Sequence, residues 1–406
     1  MKRSQMSTAQ RPEQRASRGW PGRPGGPGGR PGRARDKKPR HPDAASSRRF
    51  RCIPAWIILI SVLHARALFA QQSEEAANLL KEAQRTFQPL PKDAATRDFP
   101  ISPDRVSLGR KLFFDPRISA DGTGSCVRCH QPALYGADGV PKSRALKDKV
   151  APRNAPTVLN SALHITAHWD GVFENVEAQA GKALLGPGFG NPDNATAVAR
   201  LKTIPGYTEL FRKSFPDQAD PVTADNWGKA IGAYERTLVT PSRFDDFLAG
   251  KTEALSATER QGLRVFVDTG CAECHNKAGV GGAQHRKFGV IEDYWKETKS
   301  EEIDKGRFNV TKKDDDLYVF KVPSLRNVTM TAPYFHDGSV KTLSEAVRIM
   351  ATVQLGTDLS DQEVQAIVTF LGSLTGEIPE EFRTAPVLPP AAFAPIPAKA
   401  GGATQK

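Results

Sequence analysis

Two copies of one five-residue pattern, Cys126-Val-Arg-Cys129-His130 and Cys271-Ala-Glu-Cys274-His275, use every cysteine of the 406-residue chain except Cys52. Two thiols and an imidazole at this spacing suit covalent attachment of a haem, with thioether bonds to its vinyl groups and the histidine ligating iron. A single copy would also read as a thioredoxin-like redox pair or half a zinc site. Two copies, which leave no cysteine for a disulfide once Cys52 is set aside with the leader, favour two covalently bound haems c. Such a chain needs two small cores, each closed around a large cofactor that replaces much of the side-chain packing.

The charge sits at the start of the chain. Residues 1–52 hold fifteen Lys and Arg against three Asp and Glu, a net of +12 that equals the formal charge of the whole chain. A basic balance of this size would ordinarily suggest a nucleic-acid partner, but here it describes only the leader, so no nucleic acid is expected. The Gly, Pro and Arg run from Trp20 to Arg35 cannot bury a core, and 1–52 is expected to be disordered. Arg48-Arg49-Phe50-Arg51, the apolar run Ile53 to Leu63 and the small residues Ala65, Ala67 and Ala70 then follow in the order of a secretory signal peptide, assigned to 53–70. That run is shorter than the ~20 residues that span a bilayer, so a cleaved signal with no stable membrane span is expected.

Apolar residues at helical spacing predict helices over Glu74 to Phe87, Ser107 to Phe114, Asn194 to Lys202 and Thr223 to Val239, the last with Trp227, Ile231, Tyr234 and Leu238 on one side. Capping boxes begin at Ser256, Thr342 and Ser360, each with a glutamate three residues on. No long run alternates as a strand would, so the fold is expected to be all-α. Pro241 and Gly250 mark a break over Thr240 to Lys251. The expected domains are 71–250 and 251–380, followed by a disordered Pro- and Ala-rich tail over 381–406.

What a haem does depends on the group facing its iron opposite the histidine. A methionine there favours electron transfer, whereas an open face admits peroxide. Beyond the leader only Met330 and Met350 remain. Met350 falls on the helix that starts at Thr342, where core packing is the competing reading.

Four segments carry a resemblance: Asn154-Ala-Pro-Thr-Val-Leu-Asn160, His168-Trp169-Asp170-Gly171, Ser242-Arg243-Phe244-Asp245, and the long run from Lys321-Val-Pro-Ser-Leu-Arg-Asn to Tyr334-Phe-His-Asp-Gly338. Over about residues 80 to 376 the chain resembles the bacterial di-haem cytochrome c peroxidases. The resemblance implies two cytochrome-c-like haem domains in one periplasmic chain that reduces hydrogen peroxide to water. It implies electrons from a small c-type cytochrome or copper protein, and it makes a homodimer plausible. Met350 matches the distal ligand of the electron-receiving haem; the related MauG-type enzymes place a tyrosine there. Trp169 matches the tryptophan between the haems. Asn154, Thr331 and Pro333 match a calcium site of amide and carbonyl oxygens, hard donors suited to that ion. His336 matches a histidine near the haem propionates, and Gln179 a glutamine on the distal side of the peroxidatic haem.

Two departures bear on chemistry. The segment Tyr135 to Val150 holds no histidine, although the family pattern places one there to cap the peroxidatic iron; Tyr135, Lys142 and Lys147 are the alternatives, against a solvated-loop reading. The family's distal glutamate falls on Phe189, which cannot move a proton between peroxide oxygens. Glu177 is the nearby candidate for that role, with Glu174, His164 and His168 behind it. Three functions follow: a di-haem peroxidase, a non-peroxidatic electron carrier or haem sensor, and a MauG-like oxidase of another substrate.

Overall fold

Helix starts follow the capping residues. The side chain of Ser102 accepts from the Arg105 amide just before Pro103 and opens the helix Pro103–Phe114. Ser256 and Ser360 form full capping boxes with Glu259 and Glu363. Thr342 caps through its own hydroxyl, accepting from the Glu345 amide. Serine, threonine and glutamate at these spacings satisfy amides that a helix leaves free at its first turn, which is why the starts were legible.

The computed structural model describes residues 55–390; the basic leader over 1–52 and residues 391–406 lie outside the described residues. Of the signal segment over 53–70 it describes a helical backbone, Ala55–Thr86, that continues into the helix expected from Glu74. Among the described residues no helix is long and apolar enough to cross a membrane. Among the described residues the regular structure is helical, apart from a two-stranded antiparallel sheet that pairs His285 with Lys321 and Lys287 with Val319.

The two haem motifs sit in halves built on the same crossing. In the first, the helix Pro103–Phe114 crosses Ala224–Glu235 at Gly109, where an added Cβ would stand 1.8 Å from the Ala230 carbonyl oxygen and 3.0 Å from Tyr234 Cβ. In the second, Ala257–Asp268 crosses Asp361–Gly372 at Gly262, where a Cβ would stand 2.0 Å from the Ala366 carbonyl oxygen and 2.8 Å from Phe370 Cβ. Each crossing sets a glycine against an alanine and an aromatic residue one turn further on. Only a missing side chain lets the backbones approach so closely.

The first core gathers Phe113, Tyr207, Phe211, Trp227 and Tyr234, and the second Phe244, Phe247, Phe266 and Phe370. Both draw on distant parts of the chain. Leu79, Ala83 and Phe87 pack into the second core, with Phe87 edge-on to Phe244 at 5.3 Å. The segment Thr240 to Lys251, expected as a break, contains the helix Arg243–Leu248, whose Phe244 and Phe247 are fully buried. Asp245 fixes it by accepting from the Ser242 amide and from the buried guanidinium of Arg326.

Residues 381–390 were expected as part of the disordered tail, and of these Phe382 packs into the first core. Phe382 is fully buried with its ring 6.0 Å from Phe113, and Tyr234 Oη donates to the Glu381 carbonyl. Burying a ring of this size contributes ~1.5–3 kcal/mol toward ordering the chain around it.

Candidate functional site

Each haem motif is a tight turn after a loop residue. Cys271–Glu273 is a single 3-10 turn entered through Gly270, whose φ of +94° suits glycine. Burial raises the Cys271 thiol to about 11 and lowers the His275 imidazole to about 4, so both side chains are uncharged at neutral pH. Neutral imidazole is the form that ligates metal. Cys271, Cys274 and His275 line one apolar cavity with Met350, Phe266, Val347 and Leu371. Met350 is the last residue of the helix Leu343–Met350, while Met330 is 46% exposed and lines no part of this cavity. Thiols, a neutral imidazole and a thioether around an apolar space fit a haem.

At the first motif Cys126–Arg128 again forms a 3-10 turn. His130 Nδ1 lies 3.0 Å from the Gly136 carbonyl oxygen, so this nitrogen donates and Nε2 is left for iron. Burial lowers this imidazole too, and it raises the Cys126 thiol, with the Glu235 carboxylate as the next cause. An oriented, neutral histidine and two free thiols fit a second haem.

The segment after His130 is anchored by contacts of its own. Leu146 is buried, its amide donates to the Pro187 carbonyl, and its side chain lies against Gly190. Lys147 is exposed, Lys142 points toward Glu302 at 3.8 Å, and Tyr135 packs against the first core. Phe189 is a core residue, edge-on to Trp227 at 5.7 Å.

The carboxylates divide the work. Glu177, on the helix Val176–Ala183, gives both its oxygens to Arg236, whose Nη1 also donates to the Ala94 carbonyl. Glu174 is exposed, and Gln179 is half-buried on the same helix. The buried acid that sequence reading missed is Glu235, 5% exposed at the end of the Ala224–Glu235 helix and close to Cys126. Burial first, then the nearby Glu177 charge, raises it to about 8, while Ser161 Oγ donates to it at 3.4 Å. A signal was present: Glu235-Arg236 is a charged doublet interrupting the apolar face of Trp227, Ile231, Tyr234 and Leu238.

Trp169 is fixed between the two halves of the sequence. Its Nε1 donates to the Asn154 carbonyl at 3.0 Å, and its own carbonyl accepts from the Lys321 amide at 2.8 Å. Arg153 clamps the same ground, bonding Asp170 at 2.5 Å and Asp304 at 2.6 Å. Trp169 and His168 both line the His275 cavity, and His168 lies near enough to His130 for their charges to oppose one another. His164 also lines that cavity, bonded to Lys321, while His336 is buried with its ring stacked 4.5 Å from Phe320. Asn154, Thr331 and Pro333 all line this cavity, and Asn154 Nδ2 donates to the Val140 carbonyl.

Residues 103–253 match the family model described as di-haem cytochrome c peroxidase, and residues 260–375 match the cytochrome c model. Among curated relatives, the cytochrome c551 peroxidase of Pseudomonas aeruginosa is 42% identical over 77% of this chain and 90% of its own length. The methylamine utilization protein MauG of Methylorubrum extorquens is 31% identical over 76% of this chain and 88% of its own. Among solved structures, a MauG-like protein associated with microbial copper homeostasis superposes with a TM-score of 0.64 at 28% identity, over 73% of this chain and 97% of that one. Two haem motifs on two like helix crossings, joined through a fixed tryptophan, agree with that kinship: this chain belongs to the di-haem cytochrome c peroxidase family.

Proposed function

We propose that this chain reduces hydrogen peroxide to two waters at the haem of His130, taking two protons and two electrons. The electrons enter singly at the haem of His275 from a small c-type cytochrome or copper protein. The observation that carries the assignment is the inequality of the two centres. Of the two methionines among the described residues, Met350 lines the His275 cavity and Met330 is exposed. Met350 would serve with His275 in holding a haem suited to carrying electrons, and a haem held by His130 would supply the iron chemistry that cleaves the peroxide O–O bond.

The chain's own residues supply position and protons. Trp169, held from both sides by backbone, lies between the centres as the aromatic element of the electron path. Glu177 is committed to Arg236, so the proton store is assigned to Glu235, which burial keeps protonated at neutral pH. Gln179 orients the substrate from the neighbouring helix. Asn154 Oδ1 with the Thr331 and Pro333 carbonyls forms a calcium site beside Trp169, so calcium stiffens the ground between the centres. The leader's composition supports export to the periplasm.

Steady-state peroxide consumption by the holoenzyme with reduced cytochrome c tests the reading. Turnover far above that of free haem is expected, and a rate no better than free haem would overturn it.

A further inference from the structure

Lys321 is a buried ammonium without an anion. It ends the strand Val319–Lys321, is 6% exposed, and has among the described residues no carboxylate within ion-pair distance. Its Nζ lies 3.0 Å from His164 Nδ1. The second ring nitrogen, His164 Nε2, is buried and has no hydrogen-bond partner. The ring packs closely over Gly282, where a Cβ would stand 2.2 Å from its Cδ2. Lys321 and His164 both line the cavity that holds Cys271, Cys274 and His275.

A lone buried cation is costly, and proteins retain one where a partner charge arrives to meet it. Here the cavity itself identifies the partner. A haem attached at Cys271 and Cys274 brings two carboxylates, and no aspartate or glutamate lines that space. We propose that Lys321, held in place by His164, binds a propionate carboxylate of the haem attached at Cys271 and Cys274 and thereby raises that haem's potential. The proposal rests on the reading of a haem at that motif. The sign follows from charge: reduction adds an electron to the haem, and a nearby cation favours the reduced form. The placement also matters for the path, since the Lys321 amide donates to the Trp169 carbonyl. The carboxylate would therefore be anchored by the residue whose backbone fixes the tryptophan. Lys321 is thus a positioning residue that acts through the cofactor.

The test is a redox titration of the holoenzyme, with the two haems followed separately, in wild type, Lys321→Met and Lys321→Arg. Two haems per chain in each preparation, and loss of one in a Cys271→Ala, Cys274→Ala variant, check the underlying reading independently. Lys321→Met should lower the reduced-to-oxidised ratio of the His275 haem at fixed poise about tenfold, which is 59 mV for one electron. Lys321→Arg should restore most of that ratio. An unchanged ratio in Lys321→Met, or a shift confined to the His130 haem, would overturn the proposal. If Lys321→Met does not mature, a structure of the wild-type holoenzyme decides: Nζ within hydrogen-bond distance of the carboxylate of that haem supports it, and a carboxylate turned away to solvent overturns it.

Discussion

Arg236 closes on Glu177 with two parallel hydrogen bonds, Nε to Oε1 at 2.6 Å and Nη2 to Oε2 at 2.9 Å, and both side chains are buried. Breaking a buried pair from one side leaves the other charge unpaired, at a cost of ~3–5 kcal/mol. Glu177→Gln should therefore lower the urea midpoint markedly while leaving peroxide turnover per folded molecule within about twofold. A collapse of turnover at unchanged stability would return Glu177 to the chemistry.

Glu235 gives a pH signature of opposite kind to an ordinary carboxylate. Its value is raised from 4.5 to about 8, so the folded protein holds a proton that the unfolded chain releases. The stability from this group is complete below pH ~4.3 and is lost as pH rises through about 8, by on the order of 5 kcal/mol. Denaturation midpoints of Glu235→Gln should lose that fall between pH 5 and 8.5, and the variant's peroxide turnover should drop at least tenfold. A variant with wild-type turnover would remove Glu235 from proton supply.

If Met350 ligates as proposed, replacing it with leucine should lower the potential of the His275 haem and convert it to a high-spin ferric state, since a thioether ligand raises the potential. Met330→Leu, altering an exposed side chain, should change neither. Redox titration and electron paramagnetic resonance read both variants.

With Leu146 anchored beneath Gly190 and no histidine between Tyr135 and Val150, the His130 haem should keep an open face in both redox states. The oxidised enzyme should show a high-spin ferric signal and turn over at once, without prior reduction. Low-spin signals alone would mean that a ligand from the loop closes the iron.

Gly109→Ala and Gly262→Ala should each destabilise by ~1–3 kcal/mol or more, since the new methyl meets a carbonyl oxygen at 1.8 or 2.0 Å and the helices must part. Thermal melts of the two variants test whether the crossings are equivalent. An unperturbed melt in either would show that the crossing has slack.

Local chemistry made the haem turns and helix starts readable. Cys-x-x-Cys-His is contiguous, and Ser256 with Glu259 satisfies amides within one turn. Met350 was singled out by the family resemblance, with core packing as the competing reading. The Glu235-Arg236 doublet stands out on an apolar helix face, but its meaning, like that of Lys321, comes from distant residues: Glu177 and Cys126 for the one, His164 for the other. Gly109 and Gly262 look like ordinary helical glycines until the partner helix is placed. Phe382 sits in Pro- and Ala-rich sequence, and only the pocket around Phe113 gives it a reason to be ordered.

The way each core borrows from the far side of the chain sets an order of assembly. Phe87 precedes the first haem motif but completes the second core, and Phe382 follows the second motif but completes the first. Neither half can close on the residues between its own boundaries, so no stretch of nascent chain reaches its native core before nearly all of it has been delivered. Contacts of such long sequence separation make for slow folding. Until the cores close, Cys126 and Cys271 would both stand open to attachment of haem.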